Sequence, residues 1–165
     1  MMLKKQFTMF MFAAIVALTS VFTVNAQSSK AKSMAEEIKK EFPYREGQVA
    51  EKCDGAKIPF DVDFASFGDN TTALLSVPQL GLKETANAFR RFCTNSNNTS
   101  KFDPAKVSAL KSKVKRIQLK QADSSSTKKV SLLKDGTILI EMKFDEPTKG
   151  GINYVSIATR LSEIL

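Results

Sequence analysis

Residues 115–144 read KRIQLKQADSSSTKKVSLLKDGTILIEMKF, and their spacing of apolar side chains decides the fold class. Ile117 and Leu119 alternate with Arg116, Gln118 and Lys120, the period of two of a half-buried strand. Ala122 to Thr127 reads as a serine-rich turn, and Val130 to Leu133 as a second strand. Asp135-Gly136 is a hairpin signal, because both turn positions need a backbone that Asp and Gly tolerate. Ile138, Ile140, Met142 and Phe144 then alternate again. The expectation is a three-stranded antiparallel meander.

Upstream, the period changes to that of helices. Asp103-Pro104 places an N-cap acid before a first-turn proline, and Val107, Leu110 and Val114 form one face. Asn95 to Ser100 reads as a polar loop. Leu82, Ala86, Phe89 and Cys93 recur at helical spacing, with Phe92 beside them. Thr72 to Val77 predicts a short helix ended by Pro78, after a turn at Gly68-Asp-Asn70. Phe60, Val62 and Phe64 alternate with Asp61 and Asp63 in a strand whose start or edge is marked by Pro59. That strand is expected to join the meander as a fourth. Ser33 and Glu36 form a capping-box pattern for a first helix through Met34, Ile38 and Phe42, stopped by Pro43, with a polar stretch following. At the other end Gly150-Gly151 breaks the strands, and a closing helix from about Asn153 carries Tyr154, Ile157, Leu161 and Ile164 on one face. Helices and strands in separate blocks predict an α+β fold, an antiparallel sheet of three to four strands with helices packed on one face.

The first 26 residues are of another kind. Lys4 and Lys5 precede an apolar run from Met9 to Leu18, and Val24-Asn25-Ala26 supplies small or compact residues for cleavage. This is the order of a secretory signal peptide. An uncleaved anchor is the alternative, but a spanning helix wants about 20 predominantly apolar residues. The expected organisation is a signal peptide over 1–26, a flexible start over 27–32 and a single α+β domain over 33–165, secreted or periplasmic and soluble. Cys53 and Cys93 are the two cysteines. In an oxidising compartment they are expected to form one disulfide, two buried thiols being the alternative.

Composition narrows the chemistry. With no histidine in the chain, histidine-based nucleophilic catalysis and imidazole metal sites are excluded. The two cysteines form no CxxC, and Lys149-Gly-Gly151 lacks the pattern of a phosphate loop. No cofactor is expected. Asp61 and Asp63 are the best paired carboxylates, a weak candidate for cation binding or for a small carboxylate-dependent hydrolase, against the plainer reading of a solvated edge strand. Asn70, Asn97 and Asn98 open glycosylation sequons, which matter only in a eukaryotic host.

Charge is unevenly spread. Without Lys4 and Lys5 the formal net charge falls from +8 to +6. Residues 27–100 are balanced, 101–134 carry +8 and 135–165 carry −2. Lys106, Lys111, Lys113, Lys115, Arg116, Lys120, Lys128 and Lys129 are therefore the candidate polyanion-binding residues, against ordinary solubilising lysines. Phe102 is the only aromatic within 101–134, which argues against a nucleic-acid stacking platform. The expected partner is a protein or an anionic envelope component.

The segment from Cys53 to Phe67, with Phe89-Arg-Arg-Phe-Cys93, Val114-Lys-Arg-Ile117 and Leu133-Lys-Asp-Gly-Thr137, resembles small exported bacterial proteins of uncharacterised function. The resemblance implies an envelope location and transfers no functional residue. The resulting expectation is a non-enzymatic binding or structural accessory domain of the envelope. Polyanion binding through 101–134 and carboxylate-based hydrolysis are the alternatives.

Overall fold

The computed structural model describes residues 27–95, 98–124, 128–146 and 153–165. The expected signal peptide, residues 125–127 of the serine-rich turn, Asn97 and Gly150-Gly151 lie outside them.

Ser28 caps helix α1 (Ser29–Lys39) by accepting from the Ala31 amide. Residues 29–32, expected within a flexible start, are thus helical, and the helix begins before the Ser33/Glu36 pattern. Pro43 does more than stop this helix. It occupies the first turn of α2 (Phe42–Lys52), where its missing N–H costs nothing. A polar stretch was expected there, because α2 buries only Arg45 and Val49 and has almost no apolar stripe. Strand β1 (Phe60–Val62) follows, then a 3-10 turn at Phe64–Phe67. Asn70 caps α3 (Thr71–Ser76), and α4 spans Glu84–Cys93.

Pro78 does not end the helix between them. The chain widens into a π-helical stretch over Val77–Lys83 and continues into α4. Proline cannot donate the usual helical hydrogen bond and crowds the preceding turn, and a widened turn accommodates both effects. Within it Gly81 lies against the sheet. A Cβ there would come 2.8 Å from both Leu119 Cδ1 and Phe144 Cε1.

The expected polar loop contains a short antiparallel pair, β2 (Thr94–Asn95) with β3 (Asn98–Phe102). Helix α5 (Pro104–Lys113) is capped by Asp103 as its sequence predicts. Strands β4 (Arg116–Gln121), β5 (Lys129–Leu132) and β6 (Thr137–Met142) and helix α6 (Tyr154–Ile164) complete the chain.

The fold is α+β with a four-stranded sheet, but that sheet is mixed, not antiparallel. Its order is β1-β4-β6-β5. The hairpin at Asp135-Gly136 is present, joining antiparallel β5 and β6. However, β6 pairs parallel with β4 from Arg116↔Thr137 to Gln121↔Met142, and β1 pairs parallel with β4. A meander would have set β5 beside β4. The reason lies in burial. Ile138, Ile140 and Met142 of β6 are essentially inaccessible, whereas β5 offers only half-buried Val130 and Leu132. A central position favours the more apolar strand, and the lysine-bearing strand takes the edge. Alternation alone is identical in both arrangements.

The register puts Phe60, Val62, Ile117, Leu119, Ile138 and Ile140 on one face. These join Leu74, Leu82, Phe89, Leu110 and Leu161 of the helices in a single core. Each such side chain contributes about 1.5–3 kcal/mol on burial.

A polar cluster closes one end of the sheet. Asp145 accepts from Asn70 Nδ2 and Gln121 Nε2, both at 2.8 Å. Gln121 Oε1 in turn accepts from the Phe144 amide, and the Gln121 amide donates to Ser66 Oγ. Burial pushes the Asp145 carboxyl up. The hydrogen bonds from Gln121 and Asn70, with Lys143 adding its charge, outweigh burial and hold the carboxyl below the ordinary carboxylate value.

Two outcomes are expected. Gly81→Val should lower stability in urea denaturation by about 1–3 kcal/mol, because the new side chain overpacks against Leu119 and Phe144. A carboxyl depressed in the folded state adds stability above its unfolded value, about 3.9, and loses it as pH falls through the folded value. Acid titration of Asp145→Asn followed by circular dichroism should therefore show lower stability at neutral pH and a shallower decline below about pH 4. A decline parallel to that of the parent protein would contradict this assignment.

Candidate functional site

The eight basic residues expected to act together are distributed over α5, the sheet and its connections. Four already face carboxylates: Lys106–Asp103 at 3.8 Å, Lys111–Asp54 at 2.9 Å, Arg116–Asp135 at 3.3 Å and Lys120–Glu141 at 3.3 Å. Lys106 also sits over the Phe92 ring. Lys113, at the end of α5, donates to the Leu165 carbonyl. Lys115, Lys128 and Lys129 are exposed and form no ion pair among the described residues. The fold brings some of these groups together. Lys120 and Lys129 lie on either side of Glu141 in register, on the sheet face away from the helices. Lys113 and Lys115 both adjoin Gly136 in the hairpin turn. Lys111 lies elsewhere, lining a groove of about 620 Å³ that includes Asp54 and Phe102.

Asp61 and Asp63 do not act as a pair. Asp61 Oδ2 accepts from Gln118 Nε2 at 2.9 Å across the β1–β4 pairing. β1 ends at Val62, and Asp63 turns away to cap the 3-10 turn through the Ser66 amide. Among the described residues, no group of three or more acidic or cysteine side chains is placed to hold a metal ion. Asn70, the first sequon residue, uses its amide nitrogen on Asp145 and its oxygen to cap α3.

Cys53 and Cys93 are joined as a disulfide, with Cα atoms 5.2 Å apart and both side chains inaccessible. The bridge ties the end of α2 to the end of α4. In the chain-entropy picture, closing this loop contributes up to about 4 kcal/mol.

Next to the bridge is a pocket of about 540 Å³ that the linear pattern does not reveal, lined by Lys52, Asn87, Arg90, Arg91, Thr94 and Tyr154. Lys52 precedes one cysteine, while Arg90, Arg91 and Thr94 surround the other. Tyr154 opens α6. The residues come from four elements, α2, α4, β2 and α6, and 27–100 is electrically balanced. The one local signal was the adjacent Arg90-Arg91, which sits within a helix notable for its apolar face.

Among the described residues, no helix is long and apolar enough to cross a membrane. Comparison with protein-family models, curated proteins and solved structures returned no match.

Proposed function

We propose that the chain is an exported, soluble, non-enzymatic domain of the cell envelope that binds a partner through its surface. One observation carries this reading: the sheet is covered on one side. Its apolar face packs into the helical core, while on the other face Arg116 and Lys129 are exposed and Gln118, Lys120, Leu139 and Glu141 are partly exposed. Across that face, Asp61, Gln118, Leu139 and Ser131 form one row, and Lys120, Glu141 and Lys129 form the next. A single apolar side chain framed by polar and charged groups is suited to a flat polar partner with an apolar centre. Export is supported by the disulfide, which persists outside reducing compartments. The order of charged, apolar and small residues over 1–26, and the resemblance to small exported bacterial proteins, agree with it.

A photo-crosslinking residue at Leu139 should capture a discrete envelope partner in the living host, and one at Thr159 on α6 should not. Equal labelling at both positions, or none at Leu139, would count against the open face as the binding surface.

A second reading, in which the ligand is an anionic envelope component, is favoured by Lys115, Lys128 and Lys129, which are exposed and have no carboxylate partner among the described residues. The purified protein should then be retained on heparin at low salt and released as salt rises. Lys128→Gln with Lys129→Gln should reduce retention more than Lys106→Gln with Lys111→Gln, whose parent ammonium groups are already paired. Passage through the column at low salt would sink this reading.

A further inference from the structure

The chain has five arginines, and their pairing divides them sharply. Arg45 faces Glu41, Arg116 faces Asp135, and Arg160 faces Glu163. Arg90 and Arg91 have no carboxylate partner among the described residues, and these are the two that line the pocket beside the disulfide. The side chain of Arg90 makes one weak hydrogen bond, to Asn87 Oδ1 at 3.4 Å, and its Nε is buried with no partner. The Arg91 guanidinium has no hydrogen-bond or ion-pair partner among the described residues, while the Arg91 carbonyl accepts from Thr94 Oγ1.

A guanidinium has five N–H donors in a planar fork, and a buried donor without an acceptor is costly. Two adjacent forks in one pocket call for an acceptor with several oxygens in fixed geometry. Carboxylate and phosphate have that geometry and take paired N–H donors from arginine. The other lining groups fit the same ligand. Lys52 adds an ammonium, and Asn87, Thr94 and Tyr154 add an amide and two hydroxyls. No lining residue is acidic.

The two adjacent acids, Glu51 and Glu84, are engaged by other groups. Glu51 pairs with Lys52 at 2.9 Å. Its carboxyl is held below the ordinary value, first by the hydrogen bond from Lys52, then by the charge of Lys52, with Arg90 adding at longer range. Glu51 thus offsets one lysine, and a second nearby acid, Glu84, accepts from the Tyr154 amide at 3.0 Å; neither carboxylate forms an ion pair with Arg90 or Arg91 among the described residues. The pocket also exceeds the needs of a lone ion. A volume of about 540 Å³ falls within the range of small-molecule sites. Tyr154, 38% exposed, adds a ring wall for the ligand's body.

We propose that this pocket binds a small molecule through a terminal oxyanion, a phosphate or carboxylate held by Arg90 and Arg91. The Cys53–Cys93 bridge positions the site, because it fixes the α2 residue Lys52 against the α4 residues Arg90 and Arg91. The site is separate from the open sheet face and from the lysines of 101–134.

The test is a nitrogen-15 NMR titration of the purified protein with sodium phosphate and, separately, sodium acetate, at constant ionic strength set with chloride. Saturable shifts centred on the amides of residues 52, 87, 90, 91, 94 and 154 are expected. Tighter binding of phosphate assigns a phosphate-bearing ligand, and tighter binding of acetate a carboxylate-bearing one. Arg90→Gln with Arg91→Gln should weaken binding by at least about tenfold, since it removes the charge-assisted hydrogen bonds to the anion. Arg91→Gln alone, at an exposed position, should also weaken it while leaving the melting transition in place. Lys128→Gln with Lys129→Gln should leave it unchanged. The proposal is overturned if neither anion gives saturable shifts at these residues, or if the arginine variants bind as the parent does. Reducing the disulfide should weaken phosphate or acetate binding; unchanged binding by the reduced protein would overturn the positioning role of the bridge.

Discussion

Burial of Ile138, Ile140 and Met142 on a strand flanked on both edges is the constraint on which the other placements depend. It sets β6 between β4 and β5, and leaves β1 and β5 as the edges of the sheet. Both edges are managed. β5 carries Lys129, and the Phe60 amide of β1 donates to Glu46 of α2 rather than standing free. The same burial draws the helical run over β4, where Gly81 permits contact with Leu119 and Phe144. Immediately beyond β6, Asp145 fastens the start of that run to the end of β4. Packing on one face and polar bonding at one end therefore hold the same elements together.

The apolar period was legible wherever it was strong. Ile117/Leu119, Ile138/Ile140/Met142, Val107/Leu110 and Ile157/Leu161 identify their elements, and the caps Asp103 and Asn153 act where the chain suggests helix starts. Strand order was not legible, because alternation says which side a residue faces and nothing about which edge pairs with which strand. Helix α2 was missed for a different reason. A helix that buries one valine and a paired arginine needs little periodicity, and its partners are supplied by the tertiary structure. Pro78 was read as a stop because local rules disfavour it, yet a wider turn absorbs it. The charge excess in 101–134 was legible as a number, but its pairing was not: four of the eight named cations face carboxylates, three of which lie outside that segment.

The disulfide pocket illustrates the complementary point. A segment with no net charge can still present concentrated charge when its acids and bases face different ways. Glu36 and Glu37 pair with Lys39 and Lys40 along α1, and Glu41 pairs with Arg45. The acids of this balanced region are largely occupied locally, so Arg90 and Arg91 are left without them. Sequence balance is a sum over residues, whereas binding depends on what remains after neighbours pair.

The central place of β6 also bears on the order in which the molecule is built. β6 is synthesised after every other strand, yet it separates β4 from β5, so the two strands that precede it cannot become neighbours on the way to the native sheet. The local β5–β6 hairpin can close through Asp135-Gly136 without waiting for β6 to pair with β4. β1 must pair across a long stretch of chain, because β4, its strand partner among the described residues, lies far downstream. Such non-local pairing slows folding. Cys53 and Cys93 both precede β4 and can oxidise as soon as they meet. The bridge then encloses β1 and the helical run through α4 in one covalent loop. In the bridged chain the first strand is thereby held within a restricted volume before it pairs with β4.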